Sequence, residues 1–245
     1  MSDSSGSNRL QMMRAVEDGW KAFSRSPWPF VLFTLLAGVL SMLFQAIANA
    51  ASGDSFGAGA AIATIISVVG STVVSLWAVS GLIRGAWRAL DGQAPGFSDL
   101  ARWDGSAAGR LFINQFVLGV LFFLILLITF VVAGGLAQIS QGLIVIPGIA
   151  AALVFLYLGI NQKFLPWIAL VQKGNPMDTI QRGRAGVDPS WWWLLLLLIV
   201  ESLILLVGLL LCGVGLLAAA PVVICISTAA YRQLFGTDDA REFLN

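Results

Sequence analysis

A chain of 245 residues that is 58% hydrophobic and 11% charged is too apolar for a water-soluble domain, where about a quarter of residues carry charge. Fourteen basic residues against thirteen acidic ones leave a net charge of +1, which gives no argument for a nucleic-acid partner. Histidine is absent, so the commonest metal and haem ligand and the usual acid–base group near neutral pH are missing.

The first 28 residues read as a cytoplasmic tail. Within it Leu10, Met13, Val16, Trp20 and Phe23 recur at steps of three or four, opposite Arg14, Glu17, Asp18 and Lys21. That spacing predicts a helix lying on the membrane surface. Residues 29–245 read as a single membrane domain. Apolar runs at 29–48, 58–83, 111–134, 143–164, 191–211 and 215–234 have about the twenty residues that span the hydrocarbon core. Ala48-Asn49-Ala50 resembles a signal-peptidase site, yet the polar region before the first run is long and mixes acids with bases. An uncleaved anchor is therefore expected.

Short links at 51–56 (around Asp54), 135–142 and 212–215 join the runs on one side, and longer links at 84–110 and 163–190 on the other. Short links make antiparallel neighbours. All fourteen Lys and Arg fall on the side of the longer links and the termini, and basic residues near span ends resist translocation. The expectation is an all-α, polytopic membrane protein. Its six transmembrane helices form three antiparallel hairpins, with cytoplasmic amphipathic helices at 10–23, 97–103 and 177–187 and both termini cytoplasmic. The membrane is a bacterial-type cytoplasmic (inner) or internal one. Trp20, Trp28, Trp87, Trp103, Trp167, Trp191, Trp192 and Trp193 all fall at or near cytoplasmic span ends, as an interfacial belt of anchors requires, while Trp77 lies deeper.

Two hairpins end alike. Ala86-Trp87-Arg88-Ala89-Leu90-Asp91-Gly92 and Ala230-Tyr231-Arg232-Gln233-Leu234-Phe235-Gly236 share the pattern Ala-aromatic-Arg-x-Leu-x-Gly, which together with the surface helices suggests a threefold internal repeat.

Glu201 stands out chemically. It lies ten residues past Trp191, roughly 15 Å into the bilayer at about 1.5 Å per residue. A carboxylate at that depth is costly and must face protein or water. It is either a proton- or cation-handling site, an anchor for a bound ligand, or a carboxyl that packs against a neighbouring helix through hydrogen bonds. Ser67, Ser71 and Ser75 form a small polar stripe on the second span and are candidate partners, although close helix packing is the simpler use of such a stripe. Lys163, in the interruption Asn161-Gln162-Lys163 before Pro166, is within reach of Glu201, but running out to the headgroups is its simpler fate. Pro147, Gly148 and Pro221 are kink candidates, and Cys212 and Cys225 read as small buried apolar residues. There is no phosphate-cradling Gly-rich loop, no carboxylate pair within a span, and no Ser or Cys beside a base. The expectation is no enzyme and no cofactor.

The stretches Lys163-Phe164-Leu165-Pro166-Trp167, Pro176-Met177-Asp178-Thr179-Ile180-Gln181-Arg182-Gly183-Arg184, Cys212-Gly213-Val214-Gly215, Pro221 and Ala230-Tyr231-Arg232-Gln233-Leu234 carry a resemblance. Over residues 160–236 the chain is similar to a broad bacterial group of uncharacterised multi-span proteins, which resemble the membrane domain attached to some glycerophosphodiester phosphodiesterases. The resemblance implies a membrane module with no catalytic residues to carry over. Two functions are expected to compete. One is a non-enzymatic role organising lipid or serving a membrane complex as an accessory or assembly component, with membrane lipids and either that complex or a second copy of the chain as partners. The other is a small-solute or proton-linked transporter centred on Glu201.

Overall fold

The computed structural model describes residues 10–51, 58–171, 175–211, 213–237 and 243. The link at 51–56 around Asp54, Cys212 and the acidic tail at 238–242 fall wholly or largely outside the described residues. Among those described there are ten α-helices and no strand. They are α1 (Met12–Arg25), α2 (Pro27–Ala51), α3 (Ala58–Leu90), α4 (Phe97–Ala101), α5 (Gly105–Ala137), α6 (Val145–Asn161), α7 (Leu165–Val171), α8 (Pro176–Val187), α9 (Trp191–Leu210) and α10 (Leu216–Phe235). Six segments, Pro27–Ala50, Gly59–Leu90, Gly105–Ala137, Gln141–Val171, Pro176–Leu210 and Leu216–Phe235, are long and apolar enough to cross a membrane.

Helices outrun the apolar runs because hydropathy marks where lipid contact ends, not where hydrogen bonding ends. α3 continues through Arg84 and Arg88 to Leu90, and α5 begins at Gly105, ahead of Arg110. Arg, Ala and Leu are good helix formers, so the backbone has no reason to stop at the first charge. Asp104 caps α5 by accepting from the Ser106 and Ala107 backbone N–H groups, each at 3.0 Å. Burial alone would raise the Asp104 pKa. The Ala107 amide and the hydroxyl and amide of Ser106 outweigh it and hold the carboxyl below its ordinary value.

The fourth run is not one helix. α6 stops at Asn161, a turn comes next, and α7 restarts at Leu165. Pro166 is the reason: inside a continuous helix its ring would meet the carbonyl of Gln162, and it has no N–H to donate. That carbonyl instead accepts from the Leu165 N–H at 3.0 Å. α7 is buried from end to end apart from Pro166, and the Arg110 side chain closes its far end by donating to the Ala169 and Leu170 carbonyls, each at 3.2 Å.

Burial is concentrated at the end of the bundle that carries the basic residues. α5 buries Ala107, Ala108, Leu111 and Asn114, all in its first turns, while Phe130 and Val131 further along are exposed. α10 is the central element and is buried along most of its length. It packs against α9, α3, α2 and α1; α2 packs against α3, and α5 against α6 and α7. Outer halves can stay apolar and unpaired because lipid does not penalise exposed Leu or Ile.

The expected stripe of α1 divides between the protein and the outside. Leu10 and Phe23 are buried and Val16 is half-buried, but Met13 and Trp20 are exposed; the other buried positions are Ala15, Gly19 and Ala22. α1 lies so close to α10 that a Cβ on Gly19 would be 2.5 Å from the backbone of Ile226. Such an approach selects small residues and pushes large ones to the flanks.

The two similar helix endings meet. Gly92 and Gly236 both take a left-handed backbone, at φ 88° and 83°, which favours glycine at a helix stop. Trp87 and Tyr231 pack edge to face at 5.8 Å, with Ala86 and Ala230 fully buried beside them.

Candidate functional site: a buried ion pair at the helix break

Glu201 is buried, as its position on α9 requires, and both of its oxygens have partners. The Lys163 ammonium donates to Oε2 at 2.6 Å, and the Ser227 hydroxyl of α10 donates to Oε1 at 2.8 Å. The Lys163 and Glu201 side chains are only 8% and 5% exposed. Lys163 therefore does not run out to the headgroups. It sits in the turn between α6 and α7, and α7 folds back into the core, so its ammonium points inward and meets the carboxylate. The Phe164 ring lies 5.7 Å from Nζ.

The pair unites the α6–α7 break, α9 and α10, and the surrounding hydrogen bonds hold the same elements together. The Trp167 indole N–H donates to the Thr228 hydroxyl at 2.9 Å, which in turn donates to the Ile224 carbonyl at 2.7 Å. At the end of α6, the Tyr157 hydroxyl and the Asn161 amide each donate to Asp188 at 3.2 Å. Arg184 reaches the other oxygen of Asp188 at 3.4 Å. The Gln162 amide donates to the Ile180 carbonyl at 3.1 Å. The break is thus tied to α8 and to the turn that starts α9.

The serine stripe serves another contact. The Ser67 hydroxyl donates to the Phe44 carbonyl of α2 at 2.5 Å, across the α2–α3 packing. Ser71 donates to the Val68 carbonyl of its own helix at 3.1 Å, and Ser75 is exposed. None of the three contributes a hydrogen bond to Glu201.

Two of the expected interfacial tryptophans are core residues. Trp87 is 1% exposed, between Tyr231 and the Arg232 guanidinium, and Trp167 is 5% exposed. Both lie at the right depth in sequence, but the neighbouring helices cover them. Trp191 is half-buried against Trp192, whereas Trp20, Trp28, Trp103, Trp192 and Trp193 are exposed.

Sequence reasoning missed Ser227, Asp188 and Arg84. Ser227 sits in the apolar run of α10, and only the register between α9 and α10 reveals it. Arg84 is 1% exposed; it donates to the Arg102 carbonyl at 2.9 Å and stacks on Phe243 at 4.9 Å. Among the described residues no group of His, Cys, Asp and Glu could hold a metal ion. Chemically, the centre is an internally neutralised charge pair with a hydroxyl attached. No family model, curated protein or solved structure matches the chain.

Proposed function

We propose that this is a non-enzymatic integral membrane protein, one that organises lipid or accompanies a membrane complex as an accessory or assembly component. The observation that carries the reading is the pairing of Glu201 with Lys163 and Ser227. The deepest acid in the chain is compensated from within the fold, as a packing device requires, instead of being left open for a solute. Three further features support it: the exposed tryptophans, the apolar outer halves of the helices, and the side-chain contacts that gather Arg25, Arg84, Arg110 and Arg232 at one end. That end is the cytoplasmic one in our reading, with both termini beside it and Met13 and Trp20 of α1 at headgroup depth. The membrane is a bacterial-type cytoplasmic or internal one, and the paired Gly92 and Gly236 endings favour descent from a repeated hairpin. The resemblance over residues 160–236 points the same way.

Purification in nanodiscs and then native mass spectrometry is expected to retain a stoichiometric lipid or a larger complex. A lone chain or homo-oligomer stripped of lipid would overturn the proposal.

The helix break at Lys163 favours one other reading, because discontinuous helices mark many transporter sites. On the packing reading, Glu201→Gln leaves solute uptake and its pH response unchanged in proteoliposomes. A lost pH response would move the assignment to proton-linked transport.

A further inference from the structure

We propose that the cleft between α1, α3 and α10 binds a phosphate group, of the kind carried by a phospholipid headgroup or by free phosphate. For the source of that group the inference rests on the lipid-organising reading above.

The cleft is half-open, with a volume of about 530 Å³, and lies at the basic end of the bundle. That volume lies within the usual range for small-ligand sites. Its lining includes four cations, Arg14, Lys21, Arg25 and Arg232, against one carboxylate, Asp18. Its floor is small and apolar, formed by Ala22, Ala89 and Ala229. Asp91 and Glu17 stand next to it and partner Arg232 and Lys21. Counting both, four positive charges face three negative ones among the described residues, a surplus of one positive charge.

Two of the cations are held in place. Arg232 donates through Nη2 to Asp91 at 2.8 Å while its guanidinium carbon lies 5.4 Å from the centre of the Trp87 ring, and Arg25 donates to the Ala89 carbonyl at 2.9 Å. The other two are free to move. Among the described residues Arg14 and Lys21 pair only with acids one turn away on α1, Asp18 at 3.8 Å and Glu17 at 2.6 Å, and their side chains are 70% and 62% exposed. Exposed pairs of that kind are weak and exchange readily for a phosphate oxyanion.

Behind the wall, Arg232 Nη1 and Gln233 Nε2 are buried and have no acceptor among the described residues. The orientation of the Gln233 amide is set, because its Oε1 accepts from the Gln11 N–H at 2.9 Å, which leaves Nε2 as the spare donor. Guanidiniums already held in place, beside mobile cations, suit a phosphate oxyanion better than a neutral polar group.

The test uses the full chain in dodecyl maltoside micelles, which carry no phosphate, titrated separately with inorganic phosphate and with dihexanoyl phosphatidylglycerol. The variants are Arg14→Gln/Lys21→Gln, whose exposed side chains leave folding intact, and a charge-matched control outside the cleft, Arg102→Gln/Arg182→Gln. The cleft variant is expected to weaken binding roughly thirtyfold, at about a factor of five per basic residue, with the melting temperature and the control unchanged. Binding of the lipid alone identifies a headgroup as the source, and binding of phosphate alone identifies the free anion; either supports the site if the cleft variant weakens it. No binding of either probe, or equal losses in both variants, overturns it. Failure of lipid retention in the native-mass experiment strikes the proposed function, whereas the phosphate titration still reads the cleft.

Discussion

Lys163→Met is expected to destabilise the protein by about 3–5 kcal/mol, because it leaves the Glu201 carboxylate buried without its cation. The Ser227 hydroxyl remains on Oε1, but one hydrogen bond to a buried charge does not replace a contact at 2.6 Å. Glu201→Leu should cost a similar amount by stranding the ammonium. The double variant Lys163→Met/Glu201→Leu is expected to recover most of the loss, since two apolar side chains of similar volume remove both desolvation penalties together. Chemical unfolding of the four proteins in one detergent yields the coupling directly. If the double variant loses the sum of the single losses, the two residues do not act as a unit.

The same pair shows how far sequence carries the argument. Glu201 was legible because depth in an apolar run is a one-dimensional property, and a lone carboxylate there has few fates. The six long apolar helices were legible for the same reason. Lys163 was legible as a residue within reach, but its direction was not. Whether a lysine at a span end turns inward depends on the path of the chain beyond it. Here Pro166 breaks the helix, and the short α7 lies inside the core rather than in the interface. Ser227 was not legible, because its contact depends on how α9 and α10 are aligned. Trp87 and Trp167 failed as lipid anchors on similar grounds: a tryptophan near a span end has the right depth for the headgroups, but depth does not say which way it faces. The face that α1 turns to the protein was not legible, because the closeness of α10 selects the small residues Ala15, Gly19 and Ala22, which carry no hydropathy signal.

That closeness makes Gly19 the position where two opposing effects are best separated. Intrinsic helix propensity favours alanine over glycine inside a helix by about 1 kcal/mol. Gly19→Ala should therefore be stabilising if α1 were only a helix on a surface. A Cβ at this position, however, would be 2.5 Å from both the Cα and the N of Ile226 and 2.7 Å from its Cγ1. The first two are backbone atoms of a central helix and cannot rotate away, so α1 itself must move. Overpacking of this kind costs about 1–3 kcal/mol, which exceeds the propensity gain. Gly19→Ala is thus expected to lower the unfolding midpoint, and Gly19→Leu to lift α1 off α10 and open Arg14 and Lys21 to trypsin. Gly109→Ala supplies the contrast, because nothing lies within 4 Å of the added atom on α5 and only the propensity gain remains. Opposite signs for the same chemical change would establish that α1 is docked through its backbone. Equal signs would show that it merely rests on the membrane. Since α1 provides one wall of the basic cleft, Gly19→Leu should also abolish phosphate binding there while leaving the Lys163–Glu201 coupling untouched.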